Sequence, residues 1–263
     1  KYLYIHTLSH TTYSASSTSS VPFLTLLYSF LLYLLRVFIA FQVALEYSSR
    51  HICGGAVLSD QWAVTAAHCF GQKVFRRNLA LVRAGSATRG QGGTEHHVRR
   101  VLKHPSFDYQ LLQPLLKFSV LVQPINLPKP SHLFKTPRAG DLMTVYGWGL
   151  TKETGEPSQF LRSASLPMFP QDECTGLYRS RVNVTEQMLC AGYREGGKDA
   201  CVLDSGGPLV WGGVLHGLVS WGWGCARPLR PGVYTRLAAP PVGDWIRNTV
   251  HMNTTILDNI IPV

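Results

Sequence analysis

The chain has 263 residues and a formal net charge of +10, yet only 15% of it is charged, while 24 residues are Gly and 16 are Pro. That length suits one large domain or two small ones, and turn formers set among so few charges argue against a bundle of long surface helices and for short strands joined by tight turns. Lys and Arg are scattered with no basic stripe interleaved with aromatics, so the positive charge reads as solvated surface and no nucleic-acid partner is expected.

Taken in chain order, the first unit is residues 1–39. No charged side chain lies between Lys1 and Arg36; a Ser/Thr-rich stretch is followed by the apolar run "VPFLTLLYSFLLYLLRVFIAF". The thirteen residues Phe23 to Leu35 match a signal-peptide core and are short for a spanning helix. Two readings stand: a secretory or anchoring segment, which alone would bring a membrane into play, or the translated end of a pyrimidine-rich intron. Neither gives the segment a folded role.

From Ala40 the pattern changes to short apolar runs broken by Gly and Pro: "AFQVALEY", "AVLSDQWAVTAAHC", "DLMTVYGWG" and "GVLHGLVSWGWG". These read as strands and turns of an all-β domain over residues 40–250, with residues 251–263 as a tail. The cysteines at 53, 69, 174, 190, 201 and 225 are even in number and form no paired knuckles of the kind that hold zinc, so disulfides are expected, with fifteen possible pairings. The sequons at Asn183 and Asn253 agree with glycosylation on an oxidising, secretory route to the extracellular space. No metal or other cofactor is implied.

Five motifs, "HICGGAVLSDQWAVTAAHC", "GWG", "CAGYREGGKDAC", "DSGGPLV" and "VSWGWGCARPLRPGVYTR", stand in the order in which the trypsin-like (chymotrypsin-fold) serine proteases carry theirs, and the chain resembles that family from about Ala40 to Arg247. The resemblance implies two six-stranded antiparallel β-barrels, an active site between them and a C-terminal helix. Amide hydrolysis needs an activated hydroxyl, a base, a group that orients the base, and donors for the developing oxyanion. By resemblance Ser205 is the nucleophile, His68 the base, and the N–H groups of Leu203 and Ser205 the oxyanion donors. Asp108, in the register Asp-x-x-Leu-Leu of "DYQLL", matches the orienting carboxylate, although the flanking segments are shorter than the family's; a loop residue left by a deletion is the other reading. Asp199 matches the pocket-floor carboxylate that selects Arg or Lys before the scissile bond, Ser220, Trp221, Gly222 and Gly232 match the walls, and serine protease inhibitors are expected partners beside peptide substrates.

The resemblance also pairs Cys53 with Cys69, Cys174 with Cys190, and Cys201 with Cys225. Met143 and Trp211 stand at both ends of another familiar bridge, and Asn126 stands where many members tether a propeptide.

Two departures bear on activity. Leu203 replaces the family's oxyanion-hole glycine, and a side chain disfavours left-handed backbone by about 1–2 kcal/mol. The Ile-Val-Gly-Gly start, whose freed amine would pair with Asp204, is not in the sequence; cleavage after Arg36 would leave only Val-Phe-Ile before "AFQV", and even four extended residues reach only about 14 Å. Asp204 is therefore expected either as a buried unpaired charge or in a solvent-facing loop. Three readings follow: an endopeptidase of trypsin-like specificity with weakened activity, a pseudoprotease that binds proteins without cutting them, or an altered record of an active enzyme.

Overall fold

A computed structural model of the chain describes residues 39–70, 76–104, 109–113, 116, 119–129, 136–180 and 182–258. The readings made of the segment 1–38 fall outside these residues. In the N-terminal half, seven strands form one antiparallel sheet: β1 (Gln42–Tyr47), β2 (Arg50–Val57), β3 (Ala63–Ala66), β4 (Ala80–Ala84), β5 (Thr94–His97), β6 (Arg100–Lys103) and β7 (Tyr109–Gln113), in the order β5-β4-β1-β2-β3-β7-β6. β5 and β6 lie at opposite edges, yet only Val98 and Arg99 separate them in the chain. Two residues span less than about 8 Å, so the sheet has to curl until its edges meet. Counted as one bent strand, β5 and β6 make this a six-stranded barrel.

The C-terminal half repeats the device with β8 (Leu142–Gly147), β9 (Arg162–Pro167), β10 (Met188–Ala191), β11 (Pro208–Trp211), β12 (Val214–Trp221) and β13 (Gly232–Arg236), ordered β10-β13-β12-β11-β8-β9. Closure comes from the edge strands, where Met168 bridges Ala191 and the Phe169 N–H donates to the Cys190 carbonyl at 2.9 Å. Two hairpins set the register by turn chemistry. Ser48-Ser49 and Gly212-Gly213 all have positive φ, the geometry in which a two-residue loop follows the twist of its strands.

Helix α1 (Gln171–Tyr178) packs beside the second barrel, and α2 (Pro240–Asp258) begins on two prolines, which a first helical turn tolerates because its N–H groups have no intrahelical acceptor. Among the described residues no helix is long and apolar enough to cross a membrane. One apolar cluster joins the halves: Trp62 and Val64 from the first barrel, Leu215 and Leu218 from the second, and Val242 and Ile246 from α2 are all buried in it. Met143 and Trp211 pack in one cluster of the second barrel, so apolar contact occupies the place of a bridge.

Candidate active site

His68 is the second residue of a 3₁₀ turn, Ala67–Phe70, that leaves the fully buried strand β3. A disulfide from the adjacent Cys69 to Cys53 on β2 pins the turn; the other bonded pairs are Cys174–Cys190 and Cys201–Cys225. A ring nitrogen of His68 lies within 4.8 Å of both sulfurs of the first bridge. Those sulfurs are bonded to one another, so the group has no thiolate to offer a metal.

Ser205 arrives from the other barrel and is held by the same strands that carry His68. The Gly54 N–H on β2 donates to the Ser205 carbonyl at 2.9 Å, and that oxygen lies 3.9 Å from Cys69 Sγ. Glycine follows the serine of necessity: Gly206 has φ +76°, and a Cβ there would run into Thr65 Oγ1 and the Ala66 nitrogen. Asp108 lies outside the described residues. Its neighbour Tyr109 opens β7 opposite Ala66, two positions before His68.

Leu203 adopts φ +76°, so the leucine retains the left-handed backbone despite its side chain. The peptide planes around it are set by bonds on their carbonyl sides. Leu150 N–H donates to the Val202 carbonyl at 3.0 Å, and Gly207 N–H donates to the Asp204 carbonyl at 2.8 Å. Because C=O and N–H of one trans peptide point in opposite directions, these bonds aim the Leu203 and Ser205 N–H groups the other way. Neither N–H has a protein acceptor among the described residues. His51 Nε2–H donates to the Leu203 carbonyl at 3.2 Å; burial lowers the pKa of this imidazole to about 4 and keeps it neutral.

Beside Ser205 opens a cavity of about 420 Å³ whose walls include Asp199, Ser220, Trp221, Gly222 and Gly232. Asp199 accepts the N–H groups of Ala200 at 2.8 Å and Ala226 at 3.1 Å, and burial, the dominant influence, raises its pKa to about 7. A Cβ on Gly232 would stand 2.6 Å from the Asp199 carboxylate, and one on Gly222 would stand 3.9 Å from the Gly232 Cα, so these glycines face each other and keep the space open. The hydroxyl of Tyr234, also on the wall, is buried without a hydrogen-bond partner among the described residues.

Asp204 resolves the alternative left by the sequence in favour of burial. Gly149 N–H donates to it at 2.7 Å and Cys201 N–H at 2.9 Å, no cation pairs with it among the described residues, and burial raises its pKa to about 6. Gly147 and Gly149 have to be glycine because a Cβ on either would strike this carboxylate.

A family model described as Trypsin matches residues 37–246. The chain belongs to the trypsin family. Among its relatives, "Trypsin 5G1" of Aedes aegypti is 41% identical over 219 residues, covering 80% of this chain and 79% of that protein. "Trypsin" of Simulium vittatum is 39% identical over 207 residues (74% and 83%), and "Anionic trypsin" of Canis lupus familiaris is 36% identical over 227 (82% and 86%).

Within this trypsin-family domain three residues near the site escaped sequence reasoning: His51, Tyr234 and Glu153. His51 and Tyr234 lie inside quoted motifs, and the strand that carries Tyr234 is buried over four consecutive residues, so no alternation singled it out. Glu153 lies in a polar loop and carried no signal. Asn183 is exposed on the loop after α1, and Asn253 lies in the last turns of α2.

Proposed function

We propose that the chain is a serine endopeptidase that cuts after Arg or Lys through an acyl-enzyme. The observation that carries the reading is the shared cavity: Ser205 and the carboxylate of Asp199 line one space of about 420 Å³ walled by facing glycines. Ser205 Oγ attacks the scissile carbonyl, His68 takes its proton and returns it to the leaving amine, and the N–H groups of Leu203 and Ser205 hold the oxyanion. Asp108 orients His68, a role supported by the pairing of its neighbour Tyr109 with Ala66. A guanidinium or ammonium entering the cavity restores the charged form of Asp199, since a desolvated carboxylate gains most from a paired cation. Three disulfides agree with work outside the cell, on protein or peptide substrates and in reach of serine protease inhibitors.

The test is hydrolysis of anilide peptides with Arg, Lys or Phe before the scissile bond. Cleavage is expected after Arg and Lys, and Asp199→Ser should lower kcat/KM for Arg by about 10²- to 10³-fold, the effect of leaving a desolvated charge unpaired. Equal cleavage after Phe and Arg by the unaltered chain would sink the reading. One observation, Asp204 with no cation paired to it among the described residues, favours a second reading in which the cleft binds proteins and does not cut; a chain whose Ser205 fails to react with a fluorophosphonate but which still captures a protein in the cleft would support it.

A further inference from the structure

The wall of the Asp199 cavity contains one residue from the loop that follows β8, Glu153. Its carboxylate meets the guanidinium of Arg227 in a two-pronged pair, Nε to Oε2 at 2.9 Å and Nη2 to Oε1 at 2.5 Å. Arg227 belongs to the loop between β12 and β13, whose Gly222, Gly224 and Cys225 also line the cavity. The pair lies against Gly224, where a Cβ would stand 2.7 Å from Glu153 Oε1, so this glycine leaves room for it.

Both loops so joined hold the strip Asp199–Ser205. From one side, Gly149 N–H binds Asp204 and Leu150 N–H binds the Val202 carbonyl, which aims the Leu203 N–H. From the other, Ala226 N–H binds Asp199 and Cys225 is bonded to Cys201. We infer that Glu153 and Arg227 are positioning residues, a clamp across the cavity mouth that holds the cation-binding carboxylate and the Leu203 N–H in register with one another. The clamp ties the loop nearest Asp204 from outside, where no cation ties Asp204 from within among the described residues. This inference rests on the proposed peptidase reading, since it names what positions that same site.

Both side chains are partly exposed, Arg227 at 49% and Glu153 at 36%, so the clamp contributes modestly and is sensitive to salt. The experiment compares the whole chain with Glu153→Gln, Arg227→Gln and the exchanged pair Glu153→Arg with Arg227→Glu. The probes are benzamidinium binding by calorimetry, which reads the cavity, and the rate of fluorophosphonate labelling of Ser205, which reads the oxyanion donors. Each single change should weaken benzamidinium and slow labelling by about two- to fivefold at low salt, and the exchange should restore both. In 1 M NaCl the unaltered chain should approach the single variants. Asp244→Asn, which removes the Arg247 pair on α2, should leave both readouts unchanged, separating the clamp from loss of any surface pair. Single variants that match the unaltered chain in both readouts at low salt overturn the clamp alone. An unaltered chain that binds no benzamidinium overturns the peptidase reading, and the clamp with it.

Discussion

Asp199 and Asp204 lie five positions apart on one strip, desolvation dominates the titration of both carboxylates, and each accepts two backbone N–H groups, yet they stand in different surroundings. Asp199 faces a cavity of about 420 Å³, whereas Asp204 borders one of about 30 Å³, room for roughly a single water. Burial raises the pKa of both, to about 7 and about 6. The difference teaches that desolvation alone does not make a binding site. A raised carboxylate binds a cation only where a cation has space to arrive, and Asp199 has that space. Asp204 is instead packed against Gly147 and Gly149, which leaves little room for a cation beside it.

The largest effect that sharpens this contrast concerns a third carboxylate, Asp108, for which we propose the His68 imidazole as partner. Asp108→Asn should lower turnover by about 10⁴, with KM for an Arg substrate little changed, as expected of a group that orients the base. Steady-state kinetics check it, and an unchanged kcat would return Asp108 to the status of a loop residue.

Next comes a cation for Asp204. Fluorophosphonate labelling of the unmodified chain should be slow. An Ile-Val-Gly-Gly start of the family's length, freed by cleavage, should raise the labelling rate by about 10²-fold or more, the scale of one oxyanion donor. Labelling of the unmodified chain at the rate of an active protease would break the comparison, because Asp204 would then need no partner.

Proton linkage gives a third test. Protonated Asp199 is neutral and has to lose its proton to pair with benzamidinium. Affinity should therefore be level above pH about 7 and fall about tenfold per unit below it, until the proton competes no further. Asp204 acts on stability in the opposite sense. Its folded pKa lies above the ordinary carboxylate value, so the folded chain holds that proton more tightly and Asp204 lowers stability as pH rises from about 4 through about 6. Affinity that stayed flat from pH 5 to 8 would mean that Asp199 carries its charge unaided.

The smallest effect lies between the two carboxylates. Leu203→Gly relieves a left-handed leucine and should stabilise the fold by about 1 kcal/mol, or a few degrees in Tm. Labelling should change little, since the leucine already holds the backbone that glycine would adopt. Combined with the new amino terminus, the gain should exceed the sum of the separate changes if both act on one loop.

What the sequence determined by itself is whatever a short stretch of backbone can encode. Alternating apolar runs indicated the strands, and resemblance of "TAAHC", "DSGGP" and the residues before the serine to trypsin-like proteases singled out His68, Ser205 and Asp199. Each depends on neighbours in the chain, through a turn, a glycine or a buried face. Only the tertiary structure decided which distant groups meet. Closure of both barrels brings Gly54 to Ser205 and His51 to Leu203, and the packing of two loops sets Glu153 against Arg227, 74 positions along the chain. It also decided that Asp204 is buried, because whether a carboxylate finds water or a cation depends on everything that folds around it, and no local pattern records that.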